Sequence, residues 1–86
     1  MRIQIFVRLK AGVLDVQGKA VERGIPSLQV KGVSAVRIGR LIELDIEAED
    51  FTAAKVVAEK LCKELLANTV MEDFEIREAP SGSGVR

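Results

Sequence analysis

The sequence predicts a small α+β domain, and three patterns carry that reading. Apolar residues alternate with period two from Arg2 to Lys10 and again from Ile42 to Ile46, the mark of half-buried strands. Between Ala54 and Leu65 they recur at helical spacing instead. Read in order, the segments run strand–helix–strand–strand–helix–strand.

The first strand places Ile3, Ile5, Val7 and Leu9 on one face and Arg2, Gln4, Arg8 and Lys10 on the other. Phe6 is the exception on the charged side. Ala11-Gly12 ends it. Asp15 then caps a helix by accepting from an otherwise unpaired amide of its first turn, with Val16, Ala20, Val21, Gly24 and Leu28 near one face. Gly24-Ile25-Pro26 interrupts this helix, because Pro26 has no amide hydrogen and drives Ile25 out of the α region.

Two strands are predicted next, Val33 to Ile38 and Leu41 to Glu47, joined by a type II′ turn at Gly39-Arg40. The second of them turns Ile42, Leu44 and Ile46 inward. Asp50 caps a second helix reaching about Ala67, with Ala54, Val57, Ala58, Leu61 and Leu65 on its apolar face. On its outer face Glu59–Lys63 and Lys60–Glu64 sit four apart, each pair worth about 0.3 kcal/mol. Asn68 supplies a left-handed exit, and a last strand, Asp73 to Glu78, turns Phe74 and Ile76 inward.

The order fits a βαββαβ, ferredoxin-like domain over residues 1–78, a four-stranded antiparallel-type sheet with two helices on one face. Residues 79–86, rich in Gly, Ser and Pro, read as a flexible tail. In this topology the first strand lies between the third and the fourth. Arg2, Arg8 and Lys10 then fall beside Glu43, Asp45 and Glu47 on one side and Glu75 on the other. Such a face is either a solvated lattice of ion pairs or, with Phe6 in it, a docking surface.

Composition narrows the function. The 86 residues carry 13 basic and 13 acidic side chains, without the basic surplus of a nucleic-acid binder. No apolar run approaches the roughly 20 residues of a membrane span, and the N-terminus enters a strand pattern directly, so a cytoplasmic protein is expected. There is no histidine, hence no side chain whose ordinary pKa lies near neutrality. The single cysteine, Cys62, permits no disulfide within the chain and reads as a packing residue. No zinc cluster, P-loop or dinucleotide fingerprint is present.

Three alternatives share the topology. Val16-Gln17-Gly18 is similar to part of the acylphosphatase loop, but the phosphate-gripping arginine of that family falls here on Glu22, which would repel an anion. An RNA-recognition module needs aromatic stacking platforms, and the first strand offers only Phe6. An ACT-type regulatory domain, which binds small molecules through backbone groups and glycine loops, leaves little side-chain signature and stays open.

Three segments, in order and correctly spaced, resemble the PurS family: Val13-Leu14-Asp15-Val16-Gln17-Gly18, Val36-Arg37-Ile38-Gly39-Arg40, and Leu65-Leu66-Ala67-Asn68-Thr69-Val70-Met71-Glu72-Asp73-Phe74. The resemblance spans residue 2 to about 78. Val16 stands where the family often has proline, Phe74 replaces a common tyrosine, and Gly24-Ile25-Pro26 breaks a helix that is usually continuous.

The resemblance implies a non-catalytic small subunit of phosphoribosylformylglycinamidine (FGAM) synthase in purine biosynthesis. It implies a homo-oligomer, dimer or tetramer, that bridges a glutaminase subunit, PurQ, and a synthetase subunit, PurL. No cofactor is then expected on this chain, since ATP and magnesium act in the synthetase. The motif residues Asp15, Gln17, Arg37, Arg40, Glu72 and Asp73 become partner-contact candidates. Backbone geometry is the favoured account of Gly18, Gly39 and Asn68, and helix capping that of Asp15. Arg37 and Arg40 stand out because arginine is enriched at interfaces. As surface contacts, their replacement by alanine is expected to weaken assembly and leave thermal stability almost unchanged.

Overall fold

The alternating N-terminal segment forms strand β1, Arg2–Leu9, at the centre of an antiparallel sheet. The structure, a computed structural model, describes residues 1–80, so the tail from residue 81 onward lies outside the described residues. Strand β2, Gly39–Asp45, pairs with one edge of β1, and strand β3, Glu72–Glu78, with the other. The first strand thus sits between the two that the sequence placed beside it. Pairing continues through Ala79, whose N–H donates to Arg2 O at 3.0 Å.

Helix α1 spans Val16–Gly24 and passes into a 3-10 turn, Ile25–Leu28, at the predicted Gly24-Ile25-Pro26 break, but Ile25 itself stays in the α region (φ −61°, ψ −43°), contrary to the expectation that Pro26 would drive it out. Helix α2, Phe51–Leu61, starts at Asp50, whose carboxylate accepts from Ala53 N at 2.9 Å. Its Ala54 and Ala58 pack on Ile3, Ile5 and Val7 of β1, all fully or almost fully buried. Burying each such branched side chain contributes about 1.5–3 kcal/mol. The chain then widens into a π-type turn, Cys62–Leu66, closed by Ala67 N donating to Cys62 O at 3.0 Å.

That extra residue rotates the inward face. Cys62 becomes fully buried and Leu66 packs on the core, while Leu65, predicted to face inward, is 76% exposed. Burial pushes the Cys62 thiol above its ordinary pKa, and the charge of Glu59 adds to the effect. On the outer face of the helix, Lys60 and Glu64 form their pair at 3.0 Å.

Four expectations need correction. The described residues form a three-stranded sheet, because residues 33–38 enter no ladder. The amides of Ala35 and Ile38 are instead taken by the side chains of Glu22 and Asp15, and Ala35 at φ 56° breaks the extended alternation. Gly39-Arg40 is no hairpin turn but the start of β2, with Gly39 opposite Arg8. A Cβ on Gly39 would lie 2.6 Å from Val7 O, so close approach, not positive φ, requires glycine there.

The two helices do not contribute equally to the sheet face: α2 covers it, and α1 supplies no residue to the core cluster. Finally, Asn68 is not left-handed. Its side-chain oxygen accepts from Val70 N at 3.1 Å, and its carbonyl accepts from Met71 N and Glu72 N, building the turn into β3.

The open face carries the predicted charge lattice. Arg2–Asp45 (3.1 Å), Arg8–Glu75 (3.5 Å) and Gln4–Glu43 (2.9 Å) connect the three strands. Arg77 lies 4.7 Å over the Phe6 ring while it binds Glu75. Lys10 and Glu47 fall past the ends of β1 and β2.

Candidate functional site

The motif residues converge where α1 begins, β2 begins and the chain enters β3. Asp15 caps α1, and its two carboxylate oxygens take different amides. Oδ1 accepts from Gly18 N at 2.8 Å and Oδ2 from Ile38 N at 2.7 Å, so one buried side chain joins the helix start to the approach to β2. These two backbone bonds, helped by the nearby Arg37 charge, hold the Asp15 carboxyl below its ordinary pKa. Gly18 has to be small: a Cβ would lie 2.6 Å from Val36 O.

Glu72 makes a second junction. One of its oxygens accepts from Asn68 N at 2.8 Å, and both accept from the Arg40 guanidinium, at 2.9 and 3.3 Å. Arg40 also donates to Leu66 O at 2.8 Å, tying the end of the π-type turn to β2. The Glu72 side chain is only 13% exposed, and the Asn68 amide, followed by Arg40, lowers its pKa. Arg37 reaches in another direction, where its Nη2 donates to Leu9 O and Lys10 O, each at 3.3 Å.

Asp15, Gln17, Arg40 and Glu72 line one groove of about 430 Å³, with Leu14, Val16 and Ile38 as its apolar walls. Arg37 and Arg40 border an adjoining hollow beside Phe6 and Leu41. Asp73 stands apart, opposite Arg8 in the ladder, in a separate hollow. The structure therefore gathers four of the six candidates and sets Arg37 next to them.

Chemically, both carboxylates hold backbone amides, and both arginines have spent part of their donor capacity within the chain. Gln17 and Asp73, both exposed, make no side-chain hydrogen bond among the described residues. The groove thus presents recognition groups on a fixed frame. Among the described residues no cluster of His, Cys, Asp or Glu could hold a metal, and no helix is long and apolar enough to cross a membrane.

Two contributors were missed in the sequence. Glu22 accepts from Ala35 N at 2.8 Å and is held below its ordinary pKa chiefly by that bond. Arg77 covers Phe6, and the alternation along β3 could have found it, since Glu75 and Arg77 share the side of Phe6.

The sequence model of PurS, described as phosphoribosylformylglycinamidine (FGAM) synthase, matches residues 2–79. The chain belongs to the PurS family. It is 46% identical over 71 residues to the PurS subunit of this synthase from Synechocystis, covering 83% of this chain and 71% of that one. To the Bacillus subtilis PurS subunit it is 42% identical, covering 85% and 86%. A chain in the structure of PurLQS from Thermotoga maritima superposes with a TM-score of 0.82 at 35% identity, covering 91% of this chain and 95% of that one. PurS membership disfavours the ACT-type alternative. The acylphosphatase reading also loses ground, since Glu22 here secures a loop amide.

Proposed function

We propose that this chain is the non-catalytic small subunit of an FGAM synthase complex in purine biosynthesis. It bridges a PurL-type synthetase and a PurQ-type glutaminase, so that ammonia released from glutamine reaches the ATP-dependent conversion of formylglycinamide ribonucleotide to the amidine. The observation that carries this reading is the match to PurS over residues 2–79, with a PurLQS chain among the similar structures. The physical gain is effective concentration, because an intermediate passed within one assembly needs no second diffusive encounter.

The chain itself binds no cofactor in this reading; ATP and magnesium act in the synthetase, and the assembly works in the cytoplasm. It forms a homo-oligomer, dimer or tetramer. Support for self-association comes from the apolar residues on and after α1 that the described residues leave half-exposed or more: Val16, Val21, Leu28, Val30 and Val33. Burying such a flank against a second copy would supplement the thin core of a small domain.

The groove formed by Asp15, Gln17, Arg40 and Glu72, with Arg37 and Asp73 beside it, is the partner contact. Gln17 and Asp73 are its cleanest probes, because neither holds the fold together.

Assembly tests the reading directly. Sedimentation of the PurL and PurQ subunits with and without this chain should give a ternary species only when it is present. A Gln17→Lys substitution should weaken that species and leave the melting temperature unchanged. Identical PurL and PurQ profiles, with this chain sedimenting alone, would overturn the proposal.

A further inference from the structure

Helix α1 meets the rest of the molecule along a line of polar contacts, not across an apolar seam. Asp15 accepts from Ile38 N and Glu22 from Ala35 N, and Gly18 sits close against Val36 O. No α1 residue enters the core; Val16 is 69% and Val21 46% exposed. Among the described residues the 33–38 segment has no ladder partner, and Ala35 occupies the left-handed region at φ 56°. On its far side this segment is secured to the body by Arg37, which grips Leu9 O and Lys10 O, and by its continuation into β2.

From this arrangement we infer that α1 is a latch, which closes on the 33–38 segment through two carboxylates and opens as a unit while the β1–β2–β3 and α2 body stays folded. In a single chain, opening breaks a few hydrogen bonds and exposes little apolar surface, whereas opening the sheet exposes Ile3, Ile5 and Val7. Segments held in that way occupy the low-stability end of a fold. The latch also builds the groove: Leu14, Asp15, Val16 and Gln17 form one wall, and Ile38, Gly39 and Arg40 the other. The groove exists only while the latch is closed. Its use in docking rests on the function proposed above; the latch itself does not.

Native-state hydrogen exchange on the full chain, diluted until it sediments as a monomer and at low and increasing urea, tests the inference. The amides of Lys19 to Gly24 and of Ile38 should exchange through an opening almost insensitive to urea. Those of Ile3, Ile5 and Val7 should exchange through one that responds steeply. Asp15→Asn should speed the first group about tenfold or more and leave the second unchanged. Glu22→Gln, a milder change, should do the same to a smaller extent, and protected β1 amides certify that each variant is folded.

One shared rate and urea slope for both groups in the wild-type chain would overturn the latch. Equal acceleration of both groups by Asp15→Asn would do so too. Adding the PurL-type subunit separates the two ideas. Slower α1 exchange supports docking at the closed groove; unchanged α1 exchange in a formed complex leaves the latch standing and removes docking from the groove.

Discussion

The β1–β2–β3 sheet with α2 and the α1 region with residues 33–38 are held by different physics. In the first, branched apolar side chains from β1 interlock with Ala54, Ala58 and Cys62. In the second, carboxylates hold backbone amides, and the apolar side chains of α1 remain in solvent. One half is stabilised by burial, the other by directed polar bonds. The contrast teaches where this domain can change without unfolding: the half with the core stays intact while the half that shapes the groove is adjusted.

The largest expected effect lies in the core. Ile5→Ala removes a fully buried side chain at the centre of the sheet and should cost about 2–5 kcal/mol, read from the urea midpoint. A loss below about 1 kcal/mol would mean that apolar burial does not dominate this half. Next is Gly39→Ala, which forces a Cβ toward Val7 O and should cost about 1–3 kcal/mol by the same measurement.

Arg40→Ala follows. Truncation removes the fork to Glu72 and the bond to Leu66 O, for a loss of about 1–2 kcal/mol. This revises the sequence-based expectation that the arginine could be removed at almost no cost to stability. Arg37→Ala should cost less, since its two bonds are longer.

Acid should weaken the carboxylate contacts of both halves, at Asp15 and Glu22 beside the 33–38 segment and at Glu72 in β3. Folding lowers the pKa of Asp15 from an ordinary 3.8 and those of Glu22 and Glu72 from 4.5. Below those ordinary values the unfolded chain binds more protons, so stability is fully present above them and is lost as pH falls through the folded values. Thermal melts should therefore be level above about pH 6 and decline below about pH 4.5. Asp15→Asn should flatten that decline, and an unchanged slope in this variant would assign the acid loss to other carboxylates. The smallest effect on the folded chain belongs to Leu28→Lys. It should change stability by less than about 0.5 kcal/mol and shift the oligomer toward smaller species in sedimentation.

The same contrast explains what was legible in the sequence. Period-two alternation in β1, β2 and β3 and the helical repeat of α2 record apolar burial, and each was read in place. So were the caps at Asp15 and Asp50 and the break at Pro26, which depend on near neighbours. Residues 33–38 misled because Val33, Ala35 and the residues after them look like a strand, while the groups that take their amides, Glu22 and Asp15, lie 13 and 23 positions away. Leu65 misled because one extra residue in the π-type turn shifts the face by a step that periodicity does not register. At the site, the motif residues were found, but the internal bonds of Arg37, Arg40 and Glu72 follow only from the fold.

The most direct test of the central claim is amidine formation by the PurL and PurQ subunits, with and without this chain, fed glutamine or free ammonia. A bridging subunit makes glutamine-driven turnover depend on the chain and leaves ammonia-driven turnover independent of it. Glutamine-driven turnover that proceeds equally well without the chain would contradict the bridging role.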